Sequence, residues 1–323
     1  MLTNWRFHSM KHKTQKHGFT LIELLVVMSI IALLLSILMP ALGRARAEAM
    51  LTKDQSQVKA VFSGFSFWAP THKGNYPIPG LEQRGPNQQT GEFIKGRGPE
   101  NLLVNDHASM LSMCIMQNLF TPEVLFAPTE QSEVVYPMEE YDYNQYNAGT
   151  SSVFGVDGWT FWDSEFVNNI DDAADSTGSN NSYGIIPLTG KRKTQNWGIS
   201  THNPMSFAIV GTRGPVNGDQ DPFSTSNLFH GIERDWKGIV TFGDGHTEIL
   251  ETFYPMASTY VDQGGVSISD NIFREEEDQA LDTDYMPGGF QQGQGADIIL
   301  THVTKDEVTE DGKGGACSQF LHD

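Results

Sequence analysis

The feature that most constrains this chain is an apolar run close to its first residue. Residues 19–39 read FTLIELLVVMSIIALLLSILM, with Glu23 as the single charged residue and no proline before Pro40. A helix of about 20 apolar residues spans the hydrocarbon core of a bilayer. We therefore predict one membrane-spanning helix over these residues.

The charges that flank the run predict its orientation. Four basic residues and no acidic residue precede it: Arg6, Lys11, Lys13 and Lys16. Because basic residues favour the cytoplasmic side, we expect a cytoplasmic N-terminus and a periplasmic or extracellular remainder after Pro40. A start at Met10 in place of Met1 would preserve this asymmetry.

Two simpler interpretations of the run explain less of it. A secretory signal peptide has a shorter apolar core and a small-x-small cleavage site, for which Leu38-Met39-Pro40 is a poor match. An ordinary signal anchor fits the hydropathy but leaves Glu23 unexplained. A charge inside the bilayer is costly, and it indicates a function with a partner.

The segment Gly18-Phe19-Thr20-Leu21-Ile22-Glu23 resembles the processing signature of type IV prepilins and type II secretion pseudopilins. In that family a membrane peptidase cuts after the glycine and methylates the new first residue. The resemblance implies cleavage between Gly18 and Phe19, N-methylation of Phe19, and assembly roles for Glu23 and Pro40, the fifth and twenty-second residues of the processed chain. It also implies prepilin peptidase, other pilin or pseudopilin subunits and the inner membrane as partners.

Physical arguments support these roles. Glycine at the cut site admits an extended backbone without a side chain in the way. Glu23 of one subunit can neutralise the new Phe19 amine of a neighbour, which removes two unpaired charges from the membrane. Pro40 lacks a backbone donor, so it provides a place where the helix can bend or melt, or a simple kink where the helix leaves the membrane.

Beyond Pro40 the pattern predicts an α+β fold. Apolar residues recur at helical spacing as far as Phe65, with charged residues including Lys53 and Asp54 between them, so one helix should run from Phe19 to about Phe67. We expect its second half to pack on a small antiparallel sheet with long loops. A second helix is predicted over 102–120, and strands are predicted at 207–211, 238–242 and 247–250.

This pattern divides the chain into five segments. They are a basic leader that is removed (1–18), a transmembrane assembly helix (19–39), its amphipathic continuation (40–69), an extracytoplasmic globular domain (70–304) and a charged, glycine-rich tail (305–323).

The body resembles the branch of large pseudopilin-like proteins that carry a His-x(n)-Asp-Gly processing-associated segment. His230 is followed after thirteen residues by Asp244-Gly245-His246, a longer spacing than the branch usually has. Four further matches occur in the expected order: Gly74-Asn75-Tyr76-Pro77, Leu125-Phe126-Ala127-Pro128 (with Ala127 where the branch has cysteine), Ser182-Tyr183-Gly184 and Phe207-Ala208-Ile209-Val210.

The residues His230, Asp244 and His246 permit two interpretations. Asp-Gly between two strand-like runs is typical of a β-hairpin, because glycine adopts a positive φ. The alternative is a metal site or an acid–base pair built from the two histidines and the aspartate. The phosphate-loop, zinc-peptidase and nucleophile-elbow motifs are absent from the sequence, and we expect a structural protein rather than an enzyme.

The charge of the chain argues against nucleic acid as a partner. Without residues 1–18 the chain has 17 basic and 40 acidic residues, a formal charge of −23. Such a surface repels phosphate backbones. We expect no cofactor. The acidity serves solubility or, as the alternative, calcium binding by carboxylates in the loops. The candidate carboxylates are Asp219, Asp221, Glu275–Asp278, Asp282 and Asp284.

The chain contains two cysteines, Cys114 and Cys317, and no CxxC spacing. This is not a disulfide framework, although export would allow the two to pair. The sequence therefore predicts a structural subunit of a type IV pilus-like or type II secretion filament. The alternative is a membrane-anchored binding or enzymatic domain that uses a pilin-type anchor.

Overall fold

The computed structural model describes residues 19–85, 89, 96–145, 161–170, 178–190, 192–199, 205–215, 218–230, 235–262, 264–274, 298–304 and 319–321. The predicted leader, including Gly18, lies outside these residues, as do Cys317, Glu275–Asp278, Asp282 and Asp284. The chain divides into two compact units, residues 1–49 and 50–323. Helix α1 (Leu21–Trp68) begins in the first unit and ends in the second.

The first unit consists, in its described part, of the apolar portion of α1 with Phe19 and Thr20 before it. All of its described side chains are exposed, including the large apolar ones from Phe19 to Leu42. One helix in the described chain is long and apolar enough to cross a membrane, and its most apolar window has a mean hydropathy of 2.9. Apolar side chains exposed all round a helix are typical of a segment whose surroundings are lipid or other helices.

The second unit is built around the end of α1. Residues Val58, Val61, Phe62 and Phe65 are buried at helical spacing and join the main hydrophobic core. This part of the predicted apolar stripe is confirmed. Asp54 differs from the prediction, because it lies on the buried stripe and not among the solvated charges.

A four-stranded antiparallel sheet forms the centre of this unit, in the order β1-β2-β3-β4. The strands are β1 (Tyr183–Ile185), β2 (Ala208–Thr212), β3 (Gly238–Phe242) and β4 (Thr247–Leu250). The predicted positions of β3 and β4 are correct, and β2 begins one residue later than predicted. Strands β1, β2 and β3 are buried throughout. The long N-terminal helix and the antiparallel sheets confirm the α+β prediction.

The predicted helix over 102–120 is shorter in the structure. A 3₁₀ turn occupies Leu102–Val104, and α3 covers His107–Met116. Asp106 begins α3, because its carboxylate accepts a hydrogen bond from the Ser109 amide (2.7 Å). Asn118, with φ of +55°, turns the chain out of the helix.

A single-turn helix and two pairs of short strands lie outside the central sheet. Helix α2 (Pro79–Glu82) is a single turn. Strands β5 (Thr259–Val261) and β6 (Ser267–Ser269) form an antiparallel hairpin. Strand β7 (His302–Thr304) pairs with β8 (Gln319–Leu321), so residues near the end of the predicted tail form a strand.

The segments that carry the resemblance to the His-x(n)-Asp-Gly branch meet other parts of the core. The Trp197 indole donates to the Pro77 carbonyl (2.9 Å), and the Tyr76 hydroxyl donates to that of Gly243 (3.3 Å). The Ala127 amide donates to the Ser182 hydroxyl (3.1 Å). These contacts give the segments a structural role.

Candidate functional site

The N-terminal turn of α1 contains the residues for which the sequence predicts processing and assembly. Thr20 precedes the helix and Glu23 is its third residue. The Thr20 amide and hydroxyl both donate to Glu23 Oε2, at 2.8 and 2.9 Å, and the Glu23 amide donates to the Thr20 hydroxyl at 3.3 Å. This reciprocal arrangement is a capping box, which satisfies amides that the first helical turn leaves without partners.

The capping box changes the interpretation of Glu23. The sequence argument gave no reason within the chain for a charge at this position, although Thr-x-x-Glu before an apolar run is the sequence signature of a capping box. Both hydrogen bonds from Thr20 are accepted by Glu23 Oε2. Oε1 accepts none of the hydrogen bonds within the described residues, so it can accept one from a partner. Thr20, which holds the carboxylate, directly follows Phe19 in the chain. The Phe19 nitrogen becomes the chain terminus if the predicted cleavage occurs.

Pro40 lies inside α1, and the helix continues through it. Proline has no amide hydrogen, so the Ser36 carbonyl one turn earlier loses its normal helical donor. The Ser36 hydroxyl donates to the Leu33 carbonyl (2.8 Å) and Arg44 Nε donates to the Pro40 carbonyl (3.5 Å), so neither of these bonds supplies a donor to the Ser36 carbonyl. The helix is therefore intact here but has one backbone hydrogen bond fewer than its neighbouring turns.

The residues Asp244 and His246 form the turn of a β-hairpin, as the first interpretation predicts. Strands β3 and β4 pair in antiparallel register, Gly245 has φ of +86°, and its amide donates to the Phe242 carbonyl (2.8 Å). The His246 imidazole is hydrogen-bonded to the Asp244 carboxylate and stacks on the Phe242 ring.

The alternative of a metal site is not supported by the described residues. His230 does not join the hairpin pair, because its partner is Asp54 of α1. Within the described ranges, no group of three or more His, Cys, Asp or Glu side chains has the spacing of a metal site. Of the calcium candidates in those ranges, Asp219 lies 3.9 Å from Arg274 and Asp221 accepts a bond from the Phe223 amide.

A buried polar cluster around Asp54 was missed by the sequence argument. Asp54 is fully buried, its Oδ1 accepts from the Tyr183 hydroxyl at 2.5 Å, and its Oδ2 lies 2.6 Å from His230 Nε2. Burial, and next the Asp54 carboxylate, raise the pKa of Tyr183 well above its ordinary value, so its hydroxyl remains a donor. The sequence did contain a signal for the burial of Asp54. It precedes Val58 by four residues, about one helical turn, so the two side chains lie on the same face of α1.

A buried ion pair lies close to this cluster. Arg213 binds Glu130 in a two-bond arrangement, with nitrogen–oxygen distances of 2.5 and 2.9 Å. The Arg213 guanidinium also lies 4.7 Å from the centre of the Phe229 ring, next to His230 in the chain. Buried charges require partners of this kind, and both pairs join distant segments of the core.

Cys114 is fully buried in α3 and has no sulfur partner among the described residues. Burial raises the pKa of its thiol well above the ordinary value, which keeps it protonated and unreactive. Cys317 lies outside the described residues, so the structure does not test whether the two cysteines pair.

Comparison with known families identifies the N-terminal segment. Residues 13–39 match the family described as the prokaryotic N-terminal methylation motif. No curated protein and no solved structure matches the chain.

The methylation motif followed by a long apolar helix is the arrangement of a prepilin-like protein. The chain is thus prepilin-like and fits a membrane-anchored, pilin-like molecule. The match ends at residue 39, and the resemblance of the body to the His-x(n)-Asp-Gly branch stays a prediction.

Proposed function

We propose that this protein is a structural subunit, pilin or pseudopilin, of a type IV pilus-like or type II secretion filament. The observation that carries the proposal is the methylation motif over residues 13–39, which includes Gly18-Phe19 and ends with the apolar part of α1. Prepilin peptidase would cut between Gly18 and Phe19 and methylate Phe19. The remaining chain would stay in the inner membrane until assembly, with its globular unit outside.

The geometry of Glu23 supports a role in assembly. The capping box holds the carboxylate at the first turn of α1 and uses only one of its oxygens for Thr20. Oε1 is then available to the Phe19 amine of a neighbouring subunit. Two opposite charges that pair inside the membrane avoid the cost of leaving each one unpaired, so this contact would also fix the axial register between subunits.

The exposed apolar surface of α1 supports the same proposal. A filament core of packed helices would bury side chains that lipid covers before assembly, and the transfer from lipid to protein carries no large hydrophobic driving force. The Glu23–Phe19 contact would therefore give the packing its specificity. The backbone bond missing at Pro40 would let this part of the helix adjust as subunits leave the membrane.

Two measurements on one sample test the proposal. Intact-mass analysis should show a chain that begins at N-methylated Phe19, and quantitative proteomics should find that chain in sheared filaments. A chain that begins at Met1, at Met10 or after Met39 would contradict the processing step. A processed chain that stays in the membrane fraction would contradict the filament role and favour an anchored binding or enzymatic domain.

A further inference from the structure

An amine, a carboxamide and a carboxylate meet beside α2. Glu100 Oε1 accepts a hydrogen bond from Lys193 Nζ (2.8 Å) and another from Asn105 Nδ2 (2.6 Å). The amine and the carboxamide thus share one carboxylate oxygen, and their nitrogen atoms lie within two hydrogen-bond lengths of each other. Glu100, Asn105 and Lys193 are hereafter the amide triad.

The neighbours of the Asn105 side chain fix its orientation. Its Oδ1 accepts from the Gly80 backbone amide (2.9 Å), which can only donate, and its Nδ2 faces the Glu100 carboxylate, which can only accept. Glycine permits this close approach, because a Cβ at position 80 would lie 2.7 Å from Asn105 Oδ1 and 2.2 Å from the Asn101 carbonyl oxygen. The donor on Oδ1 polarises the carbonyl group of the Asn105 side chain.

The amide triad is largely shielded from water. Asn105 is fully buried, and the side chains of Lys193 and Glu100 are 13% and 24% exposed. Hydrogen bonds act more strongly in such surroundings than in water. Lys193 lies in the π-helical turn Arg192–Asn196, and its backbone amide donates to the Thr189 carbonyl (3.1 Å). The structure therefore holds the amine and the carboxamide together before any reaction.

The pair formed by Lys237 and Glu251 shows an ordinary ion pair of this chain for comparison. Lys237 Nζ lies 2.8 Å from Glu251 Oε1, and the Glu251 side chain is 73% exposed. Among the described residues, no carboxamide shares the Glu251 carboxylate. The buried carboxamide and the donor on its oxygen are what distinguish the amide triad from such a pair.

We propose that the amide triad forms an isopeptide bond between Lys193 Nζ and Asn105 Cγ. Glu100 takes a proton from the Lys193 ammonium, and the neutral amine attacks Cγ while the Gly80 amide stabilises the charge that develops on Oδ1. The Nζ–Cγ bond forms, Glu100 passes the proton to Nδ2, and the Cγ–Nδ2 bond breaks.

The atoms of this reaction balance without a further reactant. Lys193 loses two protons in total. One completes the ammonia that leaves, and the other departs with it as ammonium, so Glu100 ends in the state in which it began. The step involves no oxidation or reduction. Since the fold already holds both groups in place, the reaction does not have to bring them together from solution.

The bond would join distant parts of the globular unit. Asn105 precedes α3 and Lys193 follows β1, so the closed loop contains both elements. A cross-link that closes a long loop lowers the conformational entropy of the unfolded chain and thereby stabilises the fold. The amide triad would provide this cross-link without the oxidation of a cysteine, whether or not the chain enters filaments.

Peptide mass spectrometry of the purified full-length chain tests the proposal. We expect a branched peptide that joins the side chains at positions 105 and 193 and is lighter than the two separate peptides by one ammonia molecule. Glu100→Gln and Lys193→Arg should each give the two separate peptides at full mass. Lys237→Arg is the matched control, and it should retain the branched peptide.

Three results would overturn the inference or a part of it. Separate peptides at full mass from the wild type would mean that the amide triad is only an ion pair with a shared hydrogen bond. Ammonia loss without a branch, also present in Lys193→Arg, would mean that Asn105 cyclises on its own backbone. A branched peptide in Glu100→Gln would exclude Glu100 as the group that transfers the proton. The wild-type peptides decide the existence of the bond even where a variant does not fold.

Discussion

The Tyr183 hydroxyl donates a 2.5 Å hydrogen bond to the Asp54 carboxylate and thereby joins α1 to the first strand of the sheet. The other carboxylate oxygen lies 2.6 Å from His230 Nε2, which belongs to the segment between β2 and β3. One side chain of the helix thus connects three parts of the globular unit. Since Asp54 is fully buried, its charge is tolerated only with both partners in place.

We predict that Asp54→Ala destabilises the globular unit by about 3 kcal/mol, because it leaves the Tyr183 hydroxyl and His230 buried without their partner. Denaturant unfolding of the processed chain in detergent would measure the loss. Lys53→Ala, at the exposed neighbouring position, is the control and should change stability by less than about 0.5 kcal/mol. Equal stability of the two variants would show that the buried cluster contributes nothing.

We expect the core to be sensitive to acid because His107 is fully buried in it. Burial lowers the pKa of this histidine to about 4. Its hydrogen bonds to the backbone of Ile186 and Thr301 raise the pKa and so oppose part of this shift. The unfolded chain, with an ordinary histidine pKa near 6.5, binds the proton more tightly. The stability that His107 contributes is therefore complete above about pH 6.5 and is lost as the pH falls towards 4, by about 3 kcal/mol in total.

The variant His107→Gln isolates this effect from other titrating groups. Only the wild type carries this titration, so its unfolding free energy relative to that of the variant should fall by about 3 kcal/mol between pH 7 and pH 4. A difference that is constant over this range would exclude His107 as the group responsible.

Glu23→Gln separates assembly from helix capping. Glutamine can still accept the Thr20 bonds of the capping box, but it has no charge to pair with a neighbouring amine. We expect a stable, processed membrane protein that does not enter filaments, and the same result for Glu23→Val. Proteomics of sheared filaments is the measurement. Wild-type incorporation of Glu23→Gln would mean that capping is the whole role of this side chain.

Gly18→Val should block processing, because a branched side chain occupies the place where an extended backbone must enter the peptidase. We expect an unmethylated precursor with its leader attached, retained in the inner membrane. Intact mass distinguishes it from the processed form. His17→Val is the control for a change in the leader next to the cut site, and it should be processed normally. Cleavage of the Gly18→Val chain after residue 18 would contradict the prediction.

Local sequence patterns were enough for much of the fold. The period of the apolar residues located α1 within two residues at each end, and Asp-Gly between two β-rich runs located β3, β4 and their turn. The same kind of argument overestimated the second helix, since a cap at Asp106 and a left-handed Asn118 limit α3 to ten residues. It also gave no sign of β1, a strand of three residues.

The sequence by itself determined the membrane helix, the methylation motif and the candidate residues Gly18, Phe19 and Glu23, because each depends on neighbours within a few turns of one helix. Only the tertiary structure decided that Asp54 is buried with a histidine 176 residues away, and that His230 turns from the hairpin towards α1. A helical period shows which face of α1 is buried, but the partner that meets a side chain on that face depends on how the whole chain returns to the core. Asp54 and His230 meet only after the long stretch of chain between them has closed into a loop, so no local pattern encodes their contact.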